Sequence, residues 1–319
     1  MKNHYHFCTL FDHNYLYKGL ALYNSLEKHC PDFTLWILTM SDIAYSTLKK
    51  LDLKNARLIK LSDFEDKELL AIKNTRTPVE YMWTLTPSLP LYIFKKNPAL
   101  KIISYIDADC FFYSSPKPLY DELGEKSILL IEHRYSFWRK AWEKTSGRFN
   151  VSLLIFRRDF NGLKALRWWR DSCIEWCYFR YEDGKLGDQM YLNDWPSRFN
   201  GVHILQHKGG GMAPWNIKNY ILSQNGGKVF IDDQPLIFYH FHALKFFSQY
   251  DFELSSGYNF SFSQQEKLLV YKPYLEAIRR VMIQVNKIDP NFYFGFSKKT
   301  LKYRMMNKIL ATKSFLWRK

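Results

Sequence analysis

Ile102-Ile103-Ser104-Tyr105-Ile106-Asp107-Ala108-Asp109-Cys110-Phe111-Phe112 sets two carboxylates, one residue apart, inside an otherwise apolar run. In an extended backbone the side chains at i and i+2 face the same way, so Asp107 and Asp109 converge if the strand continues through them. If the strand ends at Asp107, a turn has to bring them together. Two anionic groups held close repel, and desolvation adds to the cost unless positive charge lies between them. A divalent cation supplies that charge, and magnesium and manganese favour hard oxygen ligands of this kind. The plainer alternative is a strand followed by a solvated Asx turn.

The chain around this segment alternates between the two secondary-structure periods. Tyr5 to Leu10 reads as a buried strand, and Tyr15 to His29 carries apolar residues at helical spacing until Cys30-Pro31 stops it. Phe33 to Met40 forms a second strand, Ser41 caps a helix through Leu51, and Ala56 to Leu61 forms a third strand before an acidic helix around Phe64 to Ile72. The pattern predicts an α/β domain with a largely parallel sheet. Thr84 to Phe94 reads as a helix despite Pro87 and Pro90, and leads into the paired-aspartate strand. Ile128 to Glu132, Val151 to Arg157 and a Trp-rich helix from about Gly162 to Tyr181 follow. In such sheets ligands bind beyond the carboxyl ends of the strands near a topological switch, which is where Asp107 and Asp109 fall.

With 319 residues, 47% of them hydrophobic, the chain can bury a large core, yet it contains no uninterrupted apolar stretch of about 18 residues that would cross a membrane. Met1 to His6 leads directly into strand pattern without the apolar core of a signal peptide, so a cytoplasmic location is expected. Five cysteines without a CxxC pair suit reduced thiols, and Cys173 and Cys177, one helical turn apart, read as packing residues.

The net charge is +15. From Asn291 onward eight basic residues (Lys298, Lys299, Lys302, Arg304, Lys308, Lys313, Arg318, Lys319) occur with no acidic one, interleaved with residues such as Leu301, Tyr303, Met305 and Trp317. Such a mixture suits peripheral attachment to an anionic membrane surface on the inner face of the cell membrane; the alternative is a solvated basic helix docked on the core. No nucleic-acid-binding signature accompanies the charge. The composition therefore divides the chain into residues 1–250, carrying the site motifs, and a helical basic C-terminal region, 251–319.

The order Phe7-Cys8-Thr9-Leu10-Phe11-Asp12, Asn14-Tyr15-Leu16, Ser25-Leu26 and Tyr105-Ile106-Asp107-Ala108-Asp109 resembles bacterial nucleotide-diphospho-sugar glycosyltransferases of the GT-A fold related to glycosyltransferase family 8. Phe149-Asn150-Val151-Ser152 and Gly187-Asp188-Gln189-Met190-Tyr191-Leu192-Asn193 match two further elements of that family. The resemblance covers about Tyr5 to Lys245. It implies a Rossmann-like, mixed but mostly parallel sheet flanked by helices. It also implies that Asp107 and Asp109 hold Mn2+ or Mg2+ against the two phosphates of a nucleotide-diphosphate sugar, with UDP-sugars as the expected donors. A histidine ligand is expected in Phe238-Tyr239-His240-Phe241-His242-Ala243-Leu244-Lys245, where His240 and His242 both qualify. The family's glycine is replaced there by Ala243, and Lys245 lies one place short of the pattern.

By the same resemblance Asp188 accepts hydrogen bonds from the donor sugar and Gln189 lies beside the anomeric carbon of a retaining enzyme. Asp12 and Tyr15 occupy the place of the base-binding residues, although Tyr15 also suits the helix core. Ala108, Asn150 and Lys245 belong to the implied donor site. Arg76 and Glu80 are added as candidates for holding the diphosphate, or for surface pairing. The glycine-rich stretch Gly209-Gly210-Gly211, with Trp215 and Asn216, reads as the wall of a sugar or acceptor pocket, because glycines permit close backbone approach. The expected acceptor is a cell-envelope glycan or a lipid-linked glycan of polysaccharide or lipopolysaccharide biosynthesis. Two other readings compete. Val229-Phe230-Ile231-Asp232-Asp233 offers the second aspartate pair of a haloacid-dehalogenase-type phosphatase with Asp107 as nucleophile, and a non-catalytic membrane-surface protein would use only the tail.

Overall fold

A computed structural model describes residues 4–258 and 260–299. The sequence alternation becomes a seven-stranded sheet. Its first strands are β1 (Tyr5–Phe11), β2 (Phe33–Thr39), β3 (Ala56–Lys60) and β4 (Ile102–Ile106), followed by β5 (Cys110–Phe112), which leaves the main sheet. β6 (Ile128–Glu132), β7 (Phe149–Arg157) and β8 (Val202–Ile204) complete it, in the order β3-β2-β1-β4-β7-β6-β8. β1 is parallel to β2 and β4, β2 to β3, and β6 to β8, whereas β7 runs antiparallel to both β4 and β6. The sheet is thus mixed and mostly parallel, with helices on its faces. β7, buried along almost its whole length, reads as a continuous apolar run because both of its faces are covered.

The order of the strands fixes where a ligand can enter. β2 and β3 build outward from one edge of β1, and the chain then returns to add β4 on the other edge. The switch point lies between the carboxyl ends of β1 and β4, where their following loops diverge and leave a crevice. Asp12 follows β1 and Asp107 follows β4.

Helix α1 (Leu16–His29) is buried on nearly every side, because it lies between the sheet and the helix Lys272–Ile288. Its close approach to β1 depends on Gly19, where an added Cβ would lie 2.4 Å from the Phe11 ring. The helix α2 (Asp42–Leu51) starts where expected, with Ser41 Oγ accepting from Ala44 N. The segment read as one acidic helix is two, Leu61–Phe64 and Lys67–Lys73, because Glu65 turns to extended backbone and Asp66 caps the next helix. Likewise the helix expected over Thr84 to Phe94 is broken into Pro78–Leu85 and Ser88–Lys96 around Pro87. Pro90 is tolerated because it sits in the first turn, where its missing N–H has no intrahelical partner. The Trp-rich helix starts at Phe160 on the Asp159 cap and ends at Glu175, before Tyr181, as Trp176 turns to extended backbone and buries its ring. All five cysteines are free and buried.

After a small sheet of β9 (Leu222–Asn225), β10 (Lys228–Ile231) and β11 (Gln234–Pro235), the chain returns as β12 (Phe238–His240), antiparallel to β5. Beyond it the helix Lys272–Ile288 inserts Leu275, Ile278, Val281 and Val285 into the core that also contains Phe7 and Phe11. Residues 300–319, most of the basic tail, lie outside the described residues. No helix among the described residues is long and apolar enough to cross a membrane.

Replacing Gly19 by Ala forces a methyl group into a fully buried ring. The overlap outweighs the helix propensity that alanine adds, so Gly19→Ala is expected to destabilise the protein by about 1–3 kcal/mol, read as a lower urea midpoint at unchanged slope.

Candidate active site

β4 ends at Ile106, and Asp107-Ala108-Asp109 form a turn closed by Cys110 N donating to Asp107 O at 3.0 Å. The turn, rather than strand alternation, brings the two carboxylates together. β5 then pairs with β12 so that Cys110 lies opposite His240, and Phe241 N donates to Asp109 O at 2.9 Å. On its other side β12 is held by His240 N donating to Met212 O at 2.7 Å.

The side chains converge accordingly. His240 Nε2 lies 3.0 Å from Asp109 Oδ1 and 3.8 Å from Asp107 Oδ2. Asp107 Oδ1 accepts from Tyr105 Oη at 3.0 Å. One ligand atom from each of Asp107, Asp109 and His240 lies within 4.8 Å of the others, the group among the described residues that could hold a metal ion. Two carboxylates and one imidazole suit a divalent metal ion. His242, the other histidine candidate, lies outside this group and faces Tyr258 Oη through Nδ1 at 3.0 Å.

The electrostatics follow from crowding. Burial in the crevice raises the pKa of Asp107 in spite of His240. For Asp109 burial acts in the same direction, but His240 and Lys18 outweigh it and hold the carboxyl well below the usual range. Burial opposes charge on His240, yet Asp109 and then Asp107 raise its pKa above the ordinary imidazole value. Asp188 is buried, and burial together with the charge of Asp107 pushes its carboxyl up to about 7.

Lys18 was not anticipated from the sequence. It lies in the first turn of α1, with its ammonium 3.5 Å from Asp109 Oδ2 and 4.2 Å from the centroid of the Tyr15 ring. Burial works against its charge, but Tyr15 and Asp109 overcome this and raise its pKa. The available signal was a lysine three residues after Tyr15 on a helix otherwise bound for the core. His133 was also missed. It is buried, stacked on Tyr135 at 4.5 Å and 8°, and set 3.1 Å from Asn150 Nδ2 through Nε2. Burial lowers its pKa to about 3 and keeps it neutral.

The remaining candidates occupy varied places. Asp12 accepts through Oδ1 from Asn14 N at 2.9 Å and from Tyr15 N at 3.3 Å, which fixes the turn carrying the Tyr15 ring. Ala108 is buried in the turn between the carboxylates, and Asn150 Oδ1 accepts from Ser152 N at 2.7 Å. Gln189 donates to Ser146 O at 2.6 Å and accepts from Val151 N at 3.4 Å. Trp215 is buried with its ring 5.4 Å from His240 and 5.6 Å from His242, while its Nε1 has no hydrogen-bond partner. Asn216 Nδ2 donates to His133 O at 2.8 Å and Gly211 O at 3.0 Å, clamping the glycine loop. Gly210 and Gly211 press against Leu205 and Ile131, so there they allow protein packing.

Arg76 stacks on Tyr178 at 3.9 Å and donates to Ile174 O at 3.1 Å. Glu80 accepts from Phe179 N at 2.7 Å and from Thr77 N at 2.8 Å, and these backbone donors lower its pKa. The pair therefore ties two segments of chain together. Lys245 is exposed and donates to Ser256 Oγ at 3.0 Å. Asp232 and Asp233, which the phosphatase reading would set beside Asp107, pair with Lys208 at 3.0 and 3.2 Å.

No family model matches the chain. Among solved structures, the galactosyltransferase LgtC in complex with donor and acceptor sugar analogs aligns over 94% of this chain and 99% of its own, with a TM-score of 0.52 and 14% identity. That likeness is one of fold, and the architecture is that of the GT-A glycosyltransferases. Two uncharacterized proteins of Bacillus subtilis (strain 168) are similar in sequence. YfnD is 32% identical over 297 residues, covering 92% of this chain and 95% of YfnD, and YfnF is 30% identical over 300 residues, covering 92% and 97%. At this identity and coverage the chain belongs to the family of YfnD and YfnF.

Proposed function

We propose that the protein is a metal-dependent glycosyltransferase that moves a sugar from a nucleotide-diphosphate sugar, with UDP-sugars as first candidates, to a glycan or glycolipid acceptor of the cell envelope. The observation that carries this reading is the convergence of Asp107, Asp109 and His240 at the switch point of a GT-A sheet. An Mn2+ or Mg2+ ion held by these three residues would supply positive charge to the departing diphosphate.

The chain's own groups divide the remaining work. Asp12 fixes the turn that presents Tyr15, 39% exposed, as a surface for the base. Asp188, with its pKa near neutrality, hydrogen-bonds sugar hydroxyls. Gln189 is anchored by Ser146 and Val151, so its amide is a fixed dipole beside the anomeric carbon. A neutral amide is a poor nucleophile. Retention of configuration then proceeds through a short-lived oxocarbenium-like ion pair, with a departing phosphate oxygen taking the acceptor's proton. The buried Trp215 and the Gly210-Gly211 loop form the wall toward the acceptor. The basic tail brings the enzyme to an anionic membrane surface from the cytoplasmic side, a role supported by its composition.

A panel of nucleotide-sugars with and without Mn2+ tests the reading. A cognate donor at about 100 times its Kd should raise Tm by about 5 °C when manganese is present, and should be hydrolysed slowly. If no donor does either, the reading fails. Asp109→Asn should lower turnover about 100-fold or more with little change in fold. Removing residues 300–319 should leave donor hydrolysis intact and weaken binding to anionic vesicles.

Proton linkage gives a further expectation. The raised pKa of His240 means that its proton stabilises the metal-free protein below the unfolded value of 6.5, a contribution lost as pH rises through the folded value. A metal ion needs the unprotonated ring. Mn2+ affinity should therefore fall by up to about tenfold per pH unit on acidification below the folded value. Calorimetry in buffers of different ionisation enthalpy should detect the released proton, and an affinity independent of pH would contradict His240 as a ligand.

A further inference from the structure

Lys18 occupies an expensive position. Its side chain is 9% exposed, and it stands in the first turn of α1, where the positive end of the helix dipole disfavours a cation. An ammonium on four methylenes also loses much rotamer freedom when buried. What offsets these costs is Asp109, whose Oδ2 lies 3.5 Å away, together with the Tyr15 ring beneath the ammonium at 4.2 Å. Asp109 is thereby held from both sides, with His240 Nε2 at 3.0 Å from Oδ1 and Lys18 at Oδ2. The same carboxylate belongs to the group that could hold a metal ion.

We propose that Lys18 is an internal counter-cation of the metal site. It competes with the metal for Asp109 when no donor is present, and joins the metal in holding the diphosphate when the donor arrives. The charges make the argument. With His240 in the unprotonated form that a metal ligand requires, Asp107 and Asp109 carry two negative charges and Lys18 reduces the net to one. A divalent ion entering that site leaves one net positive charge, which disfavours the ion alone and favours a dianionic diphosphate. Without Lys18, the ion would neutralise the site and give the diphosphate nothing extra. Lys18 therefore converts two separate binding events into a coupled one, and the coupling acts equally on both ligands. Tyr15 adds a physical link, since the ring offered to the base is the ring beneath the ammonium. The second half of the proposal rests on the nucleotide-sugar reading above; the competition with metal does not.

The experiment is a Mn2+ titration of the full chain at pH 7.5, followed by the free-ion paramagnetic resonance signal, with and without UDP. The proteins are wild type, Lys18→Met and Lys18→Arg, with folding checked by circular dichroism. Lys18→Met should bind Mn2+ alone on the order of tenfold more tightly than wild type and bind UDP at saturating Mn2+ on the order of tenfold more weakly. Lys18→Arg, which keeps the charge, should stay near wild type. A salt bridge serving only stability would not increase metal affinity when removed. Unchanged or weakened Mn2+ binding by Lys18→Met overturns the proposal and leaves the transferase reading standing. Tightened Mn2+ binding with no UDP binding by wild type upholds the competition and overturns the nucleotide-sugar reading. Lys18→Gln repeats the measurement should the methionine variant misfold.

Discussion

Two ionised carboxylates held side by side in a buried site need compensating positive charge, and the architecture around Asp107 and Asp109 supplies it. His240 approaches from β12 and Lys18 from α1, so Asp109 is bracketed by groups from opposite ends of the sequence. Each approach depends on packing elsewhere. β12 reaches Asp109 because it pairs with β5 and rests on Met212, and α1 reaches it because Gly19 lets the helix settle on Phe11. The apolar core thus serves the site as a positioning device, with a charge cluster at the switch point between β1 and β4.

Around that cluster a layer of aromatic and amide groups takes over the hydrogen bonding. His133, Asn150 and Asn216 form a buried chain from β6 and β7 to the glycine loop, ending beside Trp215 and hence beside the histidines of β12. Keeping His133 neutral is part of the same design, because a third buried cation near His240 would compete for the carboxylates. Asp188 marks the other extreme, a carboxyl whose pKa burial, together with the charge of Asp107, pushes up to about 7.

Arg76 and Glu80 direct their hydrogen bonds and ring contact to other parts of the chain. Arg76 and Glu80 look from sequence like a pair for a phosphate. In the structure they join the start of one helix to the loop after another, through Tyr178, Ile174 and the Phe179 N–H. Glu80 shows the general difficulty. The spacing of Thr77 and Glu80 is also that of a capping box, and the helix that needs the cap is the nearer claimant. Asp66 and Pro87 teach a related lesson, because each divides what periodicity reads as one helix into two.

The sequence by itself determined the first three βα units, the buried strand before Asp107 and the position of both aspartates at a strand end. Those features rest on local periodicity and on residues adjacent in the chain. Through its resemblance to the GT-A glycosyltransferases it also narrowed the expected histidine to two positions on one short segment. Tertiary structure alone decided between them. Only the β5–β12 register, Cys110 opposite His240, shows which ring joins the carboxylates, and register depends on strands far apart in sequence. The same holds for Lys18. As a lysine on an apolar helix it carries no distinct signal, and its meaning appears when the fold brings Asp109 to within 3.5 Å.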